Sequence, residues 1–182
     1  MSNPVIERVT SIVNGFDARV RATSPDSWGK PAPCEGWTAR DVVVHVANNI
    51  QRLGAGLQGQ APTEVGPDDD IVAAWDAAKA TFEQGVTTGD LTTNLPGPFG
   101  PMPAEQILGR LVATDVLVHT WDLARAVGGD ETLPVDAVEG AYSGLEPMDA
   151  MIRQPGVFGP KVEPPAGADL QTEFLCFLGR RV

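Results

Sequence analysis

Cysteine is scarce. The two thiols, Cys34 and Cys176, stand far apart in 182 residues and in no CxxC spacing, so neither a disulfide framework nor a cysteine-built zinc knuckle is encoded. Histidine is as rare, also with two. Positive charge is low: 13 Lys+Arg stand against 24 Asp+Glu, a formal charge of −11 that repels phosphate backbones and anionic membranes, with no basic patch to offset it. The sequence therefore predicts no nucleic-acid partner. Long apolar runs are missing, since none approaches the roughly 18 residues that cross a bilayer. The opening MSNPVIERV has neither a basic nor an apolar leader segment. These absences predict a cytoplasmic protein with reduced thiols and no membrane partner. Strand-type alternation is weak everywhere, and only Val157 to Glu163 suggests a short extended piece.

What is present is a helical period. Prolines cluster at 25–33, 62–67, 96–103 and 155–165, and between the clusters apolar residues recur near every 3.6 positions. A first helix is predicted from Asn3, with Pro4 at its first position and Val9, Val13, Phe16 and Val20 along one stripe, to near Thr23. A second opens at Thr38, where Asp41 three residues on completes a variant capping box. It carries Val42, Val46, Ile50, Leu53 and Leu57 and is expected to fray over Gly54–Gly59. A third runs from about Asp69 through Ile71, Trp75, Ala78 and Phe82, weakened at its end by Gly85 and Gly89.

Residues 89–103 hold too much proline and glycine for helix and read as an ordered crossover loop or an irregular hairpin. The longest helix is predicted from about Pro103 to Val127, stopped by Gly128-Gly129. A segment from Val135 to Gln154 must kink or split at Pro147, and a last helix fits Asp169 to Arg180 with Phe174, Leu175 and Leu178 inward. The expected architecture is all-α, a single domain over 1–182: a four-helix bundle with a Pro/Gly-rich crossover loop and short C-terminal helical additions.

Several polar residues fall on the apolar side of these helices. At 100° per residue, with Asp115 at zero, Leu108 and Ala126 lie at about +20°, Leu111 at about −40° and Val112 at about +60°. His119 at about +40° and Asp122 at about −20° share that arc. In the second helix Asn49 sits inside the stripe of Val42, Val46, Leu53 and Leu57, and His45 flanks it. Both histidines of the chain thus point inward or nearly so.

Asp115 and His119, four apart, place two donors on one face. With His45 from a facing helix they form a two-imidazole, one-carboxylate set that leaves coordination positions open for water or substrate, as catalytic rather than structural metal sites do. The same spacing also fits an acid and a histidine that satisfy each other by hydrogen bonding. Asp122 reads as an acid that supports a ligand or the helix packing, and Asn49 as either a pocket amide or a satisfied interior one. Cys34, just ahead of the second helix, reads as a small buried apolar residue, although a thiol near a helix N-terminus has a path to activation. Trp28, Trp37, Trp75 and Trp121 read as core or rim aromatics, and Arg110 and Arg125 as solvated.

The segments PAPCEGWTARDVVVHVA at 31–47 and DVLVHTWDLARAVGG at 115–129 resemble signature segments of the DinB-like superfamily. Within it they are similar to the actinobacterial branch related to the N-terminal domain of mycothiol-dependent maleylpyruvate isomerase. The ending FGPKVEPPAGADLQTEFLCFLGRR at 158–181 resembles small members of that branch. The resemblance implies a four-helix bundle holding a divalent metal, zinc or nickel, through His45, Asp115 and His119, with Asp122 and Asn49 beside the ligands. The later-helix acid is Asp here where the isomerase has Glu. The implied activity is a transferase or isomerase step on a small electrophile, with mycothiol or a similar low-molecular-weight thiol as cosubstrate. The alternative is a non-catalytic metal- or ligand-binding stress-response protein. Either would work as a monomer or a homodimer.

Overall fold

The first helix starts where Asn3 accepts the Val5 N–H and Pro4, which has no N–H to lose, takes the first position. It runs as α1 over Pro4–Ala22 and buries Val9, Val13, Phe16 and Val20, as the apolar stripe predicts. The computed structural model describes residues 3–97, 100–153 and 158–182. Contacts divide the chain into two units, Met1–Asp130 and Glu131–Val182.

In the first unit α2 spans Ala39–Leu57 and α3 spans Ile71–Thr88. The Thr38–Asp41 capping box is formed on both sides. The third helix is capped by Asp70, whose carboxylate accepts the Val72 and Ala73 N–H groups, one residue beyond the expected Asp69. Asp69 instead accepts the Gly66 N–H and closes the preceding turn. The expected fraying over Gly54–Gly59 does not occur before Leu57, because Gly54 and Gly85 let α2 and α3 touch backbone to backbone. A Cβ at Gly54 would lie 2.5 Å from the Thr81 carbonyl oxygen. Helical glycine is weak alone but here permits a packing no other residue allows.

The proline-rich stretch forms a short hairpin, with β1 (Asn94–Leu95) antiparallel to β2 (Met102–Pro103). The strand suggested from Val157 to Glu163 is not seen over 158–163, and Val157 lies outside the described residues. The fourth long helix is not uniform. It opens as α4 (Ala104–Gln106), widens into one π-type turn over Ile107–Val112 and continues as α5 (Ala113–Val127). A π turn holds one more residue than an α turn, so wheel positions upstream of Ala113 are displaced by about 100° from the straight-helix expectation. The phases of Asp115, His119 and Asp122, downstream, are unaffected. Gly128 at φ +75 ends α5 in the left-handed conformation.

The helices α1, α2, α3 and α5 close a ring in which α2 touches α3 and α5, and α1 touches the same two from the other side. Fully buried side chains on them include Phe16, Trp75, Phe82, Leu117 and Trp121. α5 is buried nearly all round from Ala113 to Ala124, Asp115 being half-buried.

In the second unit the predicted split occurs at Pro147: α6 (Val135–Leu145) passes through a tight turn over Glu146–Met148 into α7 (Asp149–Ile152). The expected end at Gln154 lies outside the described residues. α8 (Leu170–Phe177), capped by Asp169, packs on α6 through Tyr142 against Phe174 and Phe177. Among the described residues no helix is long and apolar enough to cross a membrane.

Candidate metal centre

α2 and α5 face each other in the first unit, and the polar residues that periodicity placed inside the bundle meet in that seam. His45 Nε2 lies 3.0 Å from Asp115 Oδ1, and His119 Nε2 lies 3.5 Å from the same oxygen. The three donor atoms stand within 4.8 Å of one another. Donors bound to one zinc at about 2.0–2.1 Å and tetrahedral angles are about 3.3 Å apart, so the spacing suits a single small cation.

Asn49, one turn beyond His45, brings its Nδ2 to 3.0 Å from His45 Nε2 and 3.1 Å from Asp115 Oδ2. Its Oδ1 is 3.3 Å from an Arg52 guanidinium nitrogen, which fixes the amide orientation. A proton on His45 Nε2 would be donated to Asp115 Oδ1 and an Asn49 N–H to Asp115 Oδ2, with the Nδ2 and Nε2 atoms side by side. A cation between the imidazoles and Asp115 would take the place of that proton and leave the amide to hold the carboxylate.

On the far side of the ring, His119 Nδ1 lies 2.8 Å from Asp122 Oδ2, and Cys34 Sγ is 3.4 Å from that oxygen. Asp122 is fully buried and His119 nearly so, whereas the His45 and Asp115 side chains are 32% and 24% exposed. The centre is therefore closed behind and open in front. Burial penalises the charged form of Asp115, but the His119 and His45 imidazoles outweigh it and hold the carboxyl well below its ordinary range. Burial likewise opposes a charged His119, and Asp115, then Asp122 and Cys34, overcome it and raise the imidazole well above its usual value.

Every residue the sequence singled out for the centre, His45, Asn49, Asp115, His119 and Asp122, is in this cluster. Two residues were undervalued. Trp37, read as a core or rim aromatic, lies over both imidazoles, its ring centroid 5.0 Å from His45 and 5.8 Å from His119, stacked on the latter. Cys34, read as a small apolar residue, touches the buried Asp122. Both ride on segment 31–38, which is drawn tight ahead of α2 by the Ala32 N–H donating to Trp37 and the Trp37 N–H donating to Cys34. The only signal for them was position: the turn feeding the helix that bears His45. Arg110 and Arg125 are exposed, as expected, with the Arg125 guanidinium 4.7 Å above the Trp121 ring.

Comparison with known proteins agrees with this fold. Two uncharacterized proteins, from two strains of Mycobacterium tuberculosis, are each 33% identical over 176 residues, covering 93% of this chain and 93% of their own. The crystal structure of the mycothiol-dependent maleylpyruvate isomerase superposes with a TM-score of 0.58 at 17% identity, over 84% of this chain and 70% of that one. A histidine-to-alanine mutant of the same enzyme gives 0.59 at 16%. The model of the mycothiol maleylpyruvate isomerase N-terminal domain matches residues 9–124, which contain the whole polar seam. The chain belongs to the family of mycothiol maleylpyruvate isomerase N-terminal domains.

Proposed function

We propose that this protein binds one divalent cation, zinc or nickel, through His45 Nε2, His119 Nε2 and Asp115, and uses it in a mycothiol-dependent transfer or isomerisation on a small electrophile. The observation that carries the metal reading is the convergence of His45 Nε2, His119 Nε2 and an Asp115 carboxylate oxygen within 4.8 Å of one another in a seam that is open on one side. The thiol reading rests on family membership. A bound divalent ion supplies Lewis acidity, which favours thiolate over thiol at neutral pH.

The side chains divide the remaining work. His45 and His119 each offer a neutral imidazole nitrogen. Asp115 adds the negative charge that makes the set selective for a cation, and Asn49 holds its second oxygen. Asp122 stands at Nδ1 of His119, where a carboxylate keeps the ring turned and Nε2 free. Trp37 covers the ring faces and excludes water from that side, so an incoming thiol reaches the centre past His45 and Asp115, where it is open.

Elemental analysis of the purified protein tests the metal: about one equivalent is expected, lost in His45→Ala and in His119→Ala. Stoichiometric metal in both variants refutes the site. Turnover of a general thiol acceptor with mycothiol, compared with a surrogate thiol, tests the chemistry. Metal retained with no turnover on any electrophile would favour the non-catalytic binding reading.

A further inference from the structure

The imidazole of His119 has two ring nitrogens, and the proposed function uses one. Nε2 faces Asp115 and His45. Nδ1 faces a different donor set on the opposite side: Asp122 Oδ2 at 2.8 Å, with Cys34 Sγ 3.4 Å from that oxygen. These three donor atoms also fall within 4.8 Å of one another. His119 and Asp122 are buried, so neither can turn to solvent, and Nδ1 lacks an aligned hydrogen bond despite its closeness to the carboxylate. Cys34 is half-buried, which leaves a way in from the side of segment 31–38.

The two faces differ in chemistry. The front set is two imidazoles and a carboxylate; the back set replaces one imidazole with a thiol, and thiolate selects soft ions. Around zinc, with bonds of about 2.3 Å to sulfur and about 2.0–2.2 Å to nitrogen or oxygen, tetrahedral donors stand about 3.3–3.6 Å apart, and a larger ion such as Cd²⁺ spreads them further. The Sγ–Oδ2 distance of 3.4 Å is within the zinc range. The Nδ1–Oδ2 distance of 2.8 Å is shorter and requires the carboxylate to yield by at least roughly half an ångström.

We propose that Cys34, Asp122 and His119 through Nδ1 form a second metal site, specific for a thiophilic ion such as Cd²⁺ or Cu⁺, back to back with the first and mutually exclusive with it. A neutral imidazole carries one lone pair and one N–H. An ion at Nδ1 leaves the proton on Nε2, directed at Asp115. An ion at Nε2 leaves it on Nδ1, directed at Asp122. The tautomer of His119 thus decides which face is loaded, and loading the back face releases the Cys34 proton to solvent as the sulfur–metal bond forms. The site itself stands apart from the function proposed above; the exclusivity rests on it.

The test is titration of the metal-free, full-length protein with Cd²⁺, followed by the thiolate-to-cadmium charge-transfer absorption in the near ultraviolet. One equivalent should develop the band. The band should vanish in Cys34→Ser and persist in Cys176→Ser and in His45→Ala. A band that survives Cys34→Ser, or that fails to form in the unaltered protein, overturns the second site, as does its loss in His45→Ala. In the unaltered protein, alkylation of Cys34 should slow at least tenfold with Cd²⁺ bound, a readout independent of any variant's folding; no slowing also overturns it. Preloading with Ni²⁺ should raise the Cd²⁺ needed for half the band at least tenfold. Full cadmium absorption with nickel still bound overturns the exclusivity. Failure of both zinc and nickel to bind the Cys34→Ser variant, with the cadmium results as expected, overturns the front-face reading and leaves the back site standing.

Discussion

The helix α2 meets its two neighbours by opposite means. Against α3 it offers no side chain at all where Gly54 and Gly85 bring the backbones together. Against α5 it offers His45 and Asn49, which span the gap by polar contacts to Asp115. The glycine seam has no slack, because there is nothing between the helices to rearrange. The polar seam tolerates exchange of groups but only while its donors stay near 3 Å. The difference suggests a division of labour in which contact with α3 fixes where α2 lies, leaving its other face free to carry groups chosen for chemistry and not for adhesion.

The largest expected effect falls on the glycine seam. A Cβ at Gly85 would sit 2.7 Å from the Gly54 Cα, so Gly85→Ala should destabilise by about 3 kcal/mol, a fall in Tm of roughly 6–12 °C. An unchanged Tm breaks the comparison. On the polar seam the penalty should appear in binding and not in folding. Asp115→Asn should weaken zinc or nickel affinity at the front face by more than about 100-fold, and Asp122→Asn by roughly 10- to 100-fold, since on that face the latter acts only through His119. Calorimetric titration of both variants ranks them. If Asp122→Asn abolishes binding while Asp115→Asn leaves it intact, the ligand acid is Asp122 and the front-face assignment fails.

Smaller effects sharpen the same contrast at the N-terminus of α2. Thr38→Ala removes the cap that precedes the helix and should cost about 1 kcal/mol of stability without altering metal stoichiometry. Chemical denaturation and elemental analysis check the two halves of that statement. The smallest effect is in pH. Hydrogen bonds from the Thr38 side chain and backbone hold the Asp41 carboxyl below its ordinary value. A lowered folded-state pKa adds stability above the unfolded-state pKa, and that stability is lost as pH falls through the folded value. The penalty of Asp41→Asn should therefore be fully present at pH 7 and shrink as pH falls below the ordinary aspartate range of about 4. Because Asp41 is exposed, the whole effect should stay below about 1 kcal/mol. A penalty independent of pH would show that the carboxylate charge is not what the cap uses.

The four long helices were legible because caps and apolar period agree: Asn3-Pro4, Thr38 with Asp41, and Gly128 each mark an end that the structure keeps. The polar cluster was legible for a related reason, since His45, Asn49, Asp115, His119 and Asp122 interrupt apolar stripes that otherwise run unbroken. Periodicity has no access to what lies outside a helix, which is why Trp37 and Cys34, delivered by a turn, were valued too low. Nor does it register a helix that changes pitch. Ile107–Val112 carry nothing in their apolar spacing that sets them apart from an α-helical stretch, so the wider turn left no mark in the pattern. The closeness of Gly54 and Gly85 was read as local weakness because propensity treats each glycine alone, whereas their effect arises from facing each other.

The wide turn at Ile107–Val112 has a consequence for length variation. It lodges one residue more than a regular helix of the same rise needs, so the reading frames of α4 and α5 are each held by their own surroundings and meet through a spare position. Losing one exposed residue there, such as Arg110, would restore ordinary pitch without turning Asp115 and His119 away from His45. The same loss a few residues later, between Ala113 and Asp115, would rotate the frame by about 100° and separate the two halves of the cluster. Length polymorphism in this helix should therefore collect before Ala113 and stop there.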